Sequence, residues 1–111
     1  MDIVETDVSG VLVVEPFGGI DSTNAKAFVA GVMDSFNARQ CNLVIDFQKV
    51  QYMSSAGFRS LLIIANSIEN TKRKLVLCGM GTEVLRVFEI AKFNELFVIS
   101  SSREDAVQRA T

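Results

Sequence analysis

The chain has 111 residues, of which 49% are hydrophobic, with 11 Lys and Arg against 13 Asp and Glu, a net charge of −2 and no histidine. That length and apolar content suit one domain, 1–111, with a real core, and the cations are scattered, leaving no basic stripe for direct nucleic-acid binding. The missing histidine removes the Ser-His-Asp arrangement and the commonest metal ligand.

The first residues, Asp2 to Val8, alternate weakly, Ser9-Gly10 is a turn pair, and Val11 to Val14 is an apolar run ended by Pro16. A β-hairpin follows from that pattern. Gly18-Gly19 loosens the backbone before Ile20, and Asp21-Ser22-Thr23 offers caps for a helix over about Thr23 to Ala38, with Ala27, Phe28, Val32 and Phe36 at helical spacing. Asp21 is read first as an N-cap or a neighbour of one. Leu43 to Phe47 scarcely alternates, which marks a strand covered on both faces, and Asp46 is read as a strand-end carboxylate that ties the amides of the elbow that follows, Val50 to Leu62.

The stretch Val50 to Leu62 runs from that strand into Leu61-Leu62-Ile63-Ile64-Ala65, so it is a strand-to-helix elbow. Ser54 or Ser55 supplies the N-cap. Phe58, Leu61, Leu62, Ala65 and Ile68 form the apolar face of this helix, which closes at Asn70-Thr71. Lys74 to Cys78 is the next strand and Gly79-Met80-Gly81 a loop. Thr82 caps a third helix whose buried side carries Val84, Val87, Phe88 and Ala91. Leu96 to Ile99 is a last strand, and Ser102 with Asp105 three positions on opens a terminal helix. The chain is therefore α/β: a mixed β-sheet beginning with a β-hairpin and continuing through βαβ units, with about five strands and four helices.

A serine hydrolase needs a base beside its nucleophile, and Lys49 is the nearest candidate to Ser55 in sequence, with nothing to mark it as buried. Gly79-Met80-Gly81 lacks the lysine and third glycine of a phosphate-binding loop. A receiver-type phosphoaspartate at Asp46 lacks the acidic pair that would bind the metal. Cys41 and Cys78, far apart and without a Cys-x-x-Cys spacing, are read as small buried hydrophobes. The residues thus predict no catalytic activity, no metal and no cofactor. No apolar run nears the roughly 20 residues that span a bilayer, and Met1 to Glu5 has no basic leader, so the expectation is a cytoplasmic protein without membrane insertion.

Val50 to Leu62, with Asp46 ahead of it and Gly19-Ile20-Asp21 upstream, resembles the signature of STAS domains, specifically the stand-alone anti-sigma factor antagonists of bacteria. In that family an Asp-Ser-Ser-Gly-Leu motif carries a serine phosphorylated by a partner kinase. The matching positions are Ser54, Ser55, Ala56, Gly57 and Phe58: Ser55 keeps the phosphoacceptor place and Gly57 the glycine, whereas Ser54 replaces Asp and Ala56 replaces Ser. The resemblance implies a STAS-type fold over nearly the whole chain and partner switching controlled by Ser55. Unphosphorylated, the protein would bind an anti-sigma factor that is also a serine kinase; phosphorylated, it would release it; a serine phosphatase would reset it. It also implies a partner face around Asp21, Met53, Ser54, Ser55, Ala56, Gly57 and Phe58. Of Ile20, Met53 and Phe58, at least two are expected in the core, and any left exposed would give the face its apolar centre. Arg59 is read as a solvated charge able to steady a phosphate or a partner carboxylate. The rival reading is an accessory subunit of a transporter or other complex, with Ser55 only a helix cap.

Overall fold

The computed structural model describes residues 1–111. Strands β1 (Ile3–Val8) and β2 (Val11–Pro16) form the expected hairpin, paired antiparallel from Ile3 opposite Pro16 to Val8 opposite Val11. Ser9 and Gly10 turn the chain with φ of 54° and 82°, the primed-turn geometry that matches strand twist. The Gly10 N–H donates to Asp7 Oδ1 at 3.1 Å, which fixes the turn.

From β2 onward every neighbouring pair is parallel: β2 with β3 (Leu43–Asp46), β3 with β4 (Leu75–Cys78), and β4 with β5 (Val98–Ser100). The order across the sheet is simply β1-β2-β3-β4-β5. Right-handed crossovers that always step in one direction must leave all their helices on one face. Accordingly α1 (Ala25–Asn37), α2 (Ser55–Glu69) and α3 (Thr82–Ile90) bury Phe28, Val32, Phe36, Leu61, Ile64 and Phe88 in one core with Leu12, Val14, Leu43, Ile45 and Leu77. The other face belongs to α4 (Arg103–Arg109), whose Ala106 and Val107, with Ala110, cover Val11, Val13, Val44, Val76 and Cys78. All four residues of β3 are buried, as its lack of alternation required.

Several expectations are corrected. Helix α1 starts two residues late, after N-cap Asn24, and Asp21 does not cap it. Ala27 is exposed. Gly81, not Thr82, occupies the N-cap of α3. Only Val84 and Phe88 of its apolar set are buried, with Val87 42% exposed and Ala91 exposed as well. Lys92 enters the left-handed region (φ 62°) and stops α3. A 3₁₀ turn, Phe93–Glu95, then brings Phe93 within 5.7 Å of both the Phe58 and Phe88 rings. That detour makes β5 start two residues later than expected and end one later, and leaves Leu96 66% exposed. The Ser102 cap is as expected, with its side chain accepting from the Asp105 N–H at 3.1 Å.

The Asp46 carboxylate does not reach the elbow. Its Oδ1 accepts from the Gln48 N–H at 3.0 Å and its Oδ2 from Arg103 Nε at 2.9 Å, so it pins α4 to the sheet. Cys78 is buried and Cys41 half-buried, both free thiols; burial pushes the Cys78 thiol up to about 12, helped by the Asp46 charge.

Candidate functional site

The elbow is built on a short parallel bridge between two loops. Ile20 pairs with Met53: the Ile20 N–H donates to the Tyr52 carbonyl at 3.1 Å, and the Ser54 N–H donates to the Ile20 carbonyl at 2.9 Å. This continues the β2–β3 pairing beyond the strand ends, and it delivers the chain to α2 at a fixed angle. Gly57 lets the first turn of the helix come close. A Cβ there would collide with Met53 Cγ and lie 3.0 Å from the Ile20 carbonyl oxygen and 3.1 Å from Ile20 Cγ2.

Ser54 is the N-cap residue, in extended backbone, but its side chain makes no capping bond and its Oγ is buried without a partner. Ser55 is the first helical residue and is exposed. The first intrahelical bond at this end is the Phe58 N–H to the Ser54 carbonyl at 3.1 Å, so the N–H groups of Ser55, Ala56 and Gly57 precede the ladder, as at any helix start. The exposed hydroxyl therefore stands beside free donors at the positive end of a 15-residue helix. An anion on that hydroxyl is tolerated electrostatically by the fold itself.

Ile20, Met53 and Phe58 are all buried, at 0%, 9% and 8% exposure, so the expectation of at least two is met in full. Met53 and Phe58 consequently support the elbow from beneath and do not give it an exposed apolar centre. That role falls to Leu62 and Val87, which the sequence pattern assigned to the buried faces of their helices. Ser55, Arg59, Leu62 and Val87 line a shallow groove between α2 and α3, floored by Phe58 and Phe93. Ala56 lines a second one between α1 and α2.

Asp21 belongs to the same surface through a contact that spacing alone does not disclose. Its Oδ2 accepts from the Tyr52 hydroxyl at 2.8 Å, and its Oδ1 accepts from the Thr23 hydroxyl at 2.5 Å and the Thr23 N–H at 2.9 Å. The Thr23 and then the Tyr52 hydrogen bonds hold the Asp21 carboxyl below the usual carboxylate range, and the same carboxylate pushes the Tyr52 phenol up. Gly19 makes the link possible, because any Cβ there would overlap the Tyr52 ring. Asp21, Ser54, Ser55, Ala56 and Gly57 are thus brought to one end of the molecule, with Tyr52 half-exposed among them.

A family model for the STAS domain matches residues 3–106. The chain belongs to the STAS domain family. A relative from Bordetella bronchiseptica, BtrV, named as a candidate anti-sigma factor antagonist, is 31% identical over 106 residues, covering 96% of this chain and 91% of the relative. The anti-sigma-B factor antagonist of Listeria monocytogenes is 27% identical over 94 residues, 73% of this chain and 82% of its own. Among solved structures, that of a candidate anti-sigma factor antagonist from Thermotoga maritima superposes with a TM-score of 0.89 at 18% identity, covering 97% of this chain and 93% of that one. At that identity the likeness is one of fold. The STAS assignment covers both loops of the elbow bridge as well as the helix they feed.

Proposed function

We propose that this STAS chain is a cytoplasmic anti-sigma factor antagonist: a regulatory binding protein without catalytic activity, switched by phosphorylation of Ser55. Unmodified, it binds an anti-sigma factor that is also a serine kinase; modified, it releases it; a serine phosphatase restores the binding form. The observation that carries this reading is the exposed Ser55 hydroxyl at the start of α2, in a STAS domain whose relatives are named as antagonists.

Phosphate adds about −1.5 to −2 charge at neutral pH and oxygens that hold water tightly. A partner surface that covers the elbow must strip that water or leave the charge unpaired. A penalty of roughly 2 to 3 kcal/mol weakens the complex by about 30- to 150-fold. The free amides and helix dipole meanwhile keep the modified domain folded, so the switch acts on binding and not on stability.

Intact-mass analysis of the protein from its own host, with site mapping, tests the first step. Calorimetric titration of the parent, Ser55→Ala and Ser55→Asp against the kinase tests the second. The expected order is tight binding by parent and Ala and weak binding by Asp, with similar melting of all three. Equal affinity for Ala and Asp, with phosphate on Ser54 or absent, refutes the switch and leaves a permanent accessory subunit.

A further inference from the structure

Two concavities flank the first turns of α2. The one towards α3 encloses about 360 Å³ and includes Ser55; the other, about 450 Å³, lies between α1 and α2 over Ala25, Val29, Ala56 and Ile63. Arg59 lines both. In the α1–α2 groove the only charged residues are Lys26 and Arg59, and the ion pairs of the chain are made instead by Arg39, Arg103 and Arg109. A protein of net charge −2 therefore presents an apolar trough with two cations and no acid of its own to neutralise them. Such a trough between two helices complements an amphipathic helix that carries carboxylates along its apolar stripe.

Ser55 and Arg59 are four residues apart on α2, hence neighbours on one helical face. A phosphate on Ser55 is a stronger and more local partner for a guanidinium than an incoming carboxylate: both anions can take two parallel N–H donors, but the phosphate carries about −1.5 to −2 charge and is tethered one helical turn away. Resting on the reading of Ser55 as the phosphorylation site, we propose that the α1–α2 groove docks an acidic amphipathic helix of the partner on Lys26 and Arg59, and that phosphoserine at 55 withdraws Arg59 from it. Phosphorylation then does two things at once. It places a dianion beside the docking surface and removes one of the two cations that hold the docked helix.

Both halves are testable without the natural partner. With phosphoserine encoded at position 55 of the full chain, ³¹P NMR titration follows the second ionisation of the phosphate. Its pKa is expected to lie about 0.3 to 0.7 lower in the parent than in Arg59→Gln, with Arg59→Lys between them and Lys26→Gln equal to the parent. Equal values in parent and Arg59→Gln overturn the withdrawal of Arg59. For docking, the probe is a synthetic amphipathic helix of about five turns, with Leu on one stripe and Glu beside it, compared with the same helix carrying Lys in place of Glu. At about millimolar peptide the acidic probe is expected to shift the amide resonances of Ala25, Val29, Ala56 and Ile63, and the basic one to leave them unmoved. Lys26→Gln, Arg59→Gln and phosphoserine at 55 each weaken the acidic probe by about 2- to 10-fold. Equal shifts from both peptides, shifts confined to other surfaces, or none at all overturn the docking site. Because the phosphoserine is installed synthetically, a host protein without phosphate refutes the switch while the clamp is still measured, and a failed clamp leaves a mapped host phosphate standing.

Discussion

Gly57→Ala puts one methyl group where the geometry of the elbow has no room. The added carbon meets Met53 Cγ, a flexible side chain that is itself only 9% exposed, and the Ile20 carbonyl oxygen at 3.0 Å. Met53 can swing at some cost, but the carbonyl is held by the Ser54 N–H at 2.9 Å. Relief must come from lifting the first turn of α2 off the Ile20–Met53 bridge. Overpacking of this kind costs about 1 to 3 kcal/mol, offset by up to about 1 kcal/mol because Ala is the better helix former. The net expectation is a loss of about 0.5 to 2 kcal/mol, or a urea midpoint lower by roughly 0.3 to 1.3 M at a slope of about 1.5 kcal/mol per M. The same displacement moves Ser55, so partner affinity should fall by more than stability alone explains. A midpoint equal to or above that of the parent would refute the close-approach argument and reduce Gly57 to a poor helix former.

Arg103→Gln removes the cation facing the Asp46 carboxylate, whose side chain is 3% exposed, while Arg103 is itself 32% exposed; the expected loss is about 2 to 3 kcal/mol by urea unfolding, and a loss under about 0.5 kcal/mol would contradict a structural role for the pair. Ser55→Ala should leave the urea midpoint nearly unchanged, because the N-cap position belongs to Ser54; a loss near the roughly 1 kcal/mol of an ordinary cap would show that Ser55 caps α2 after all. Tyr52→Phe deletes one of the hydroxyls that hold the Asp21 carboxyl low, so its NMR titration should move up towards the ordinary carboxylate value, with Thr23 still keeping it below. A carboxyl lowered in the folded state contributes stability that is present above its unfolded pKa and lost as pH falls through the folded one, so the parent should lose slightly more on acidification than Tyr52→Phe; no movement of Asp21 would deny the contact. Native alkylation should modify the half-buried Cys41 and spare Cys78, whose thiol lies near 12; rapid native labelling of both would show that the α4 face opens readily.

What was legible in the sequence was whatever physics acts over a few residues. The Ser9-Gly10 turn, the doubly covered β3, the elbow before α2 and the Ser102 cap each depend on contacts within one turn or one strand, and each lies where the pattern placed it. The failures share the opposite cause. Val84, Val87, Phe88 and Ala91 make a consistent apolar stripe, but the stripe is wider than the surface α3 covers, and Val87 and Ala91 are left lining a groove. The left-handed Lys92 and the turn after it gather Phe58, Phe88, Phe93 and Phe97 into one aromatic cluster, a packing gain that no local propensity at Lys92 announces. Asp46 finds Arg103 57 residues away.

The site itself shows the same division, and the division bears on how the proposed switch would work. Ser55 and Gly57 could be read locally, one as a hydroxyl at a helix start and the other as a residue without a side chain. Gly19, Asp21 and Tyr52 could not, because their relation runs across the bridge from one loop to another. Yet that bridge is what makes the surface rigid. The Ile20 amide and carbonyl are both engaged by the second loop, the Tyr52 hydroxyl is held by Asp21, and Gly19 and Gly57 admit the contacts on either side. A phosphate added to a surface so constrained has no loop to reorganise and no buried contact to break. Under the proposed switch its effect would therefore be exerted on whatever approaches, through charge, bound water and Arg59, the long cation within a helical turn of it.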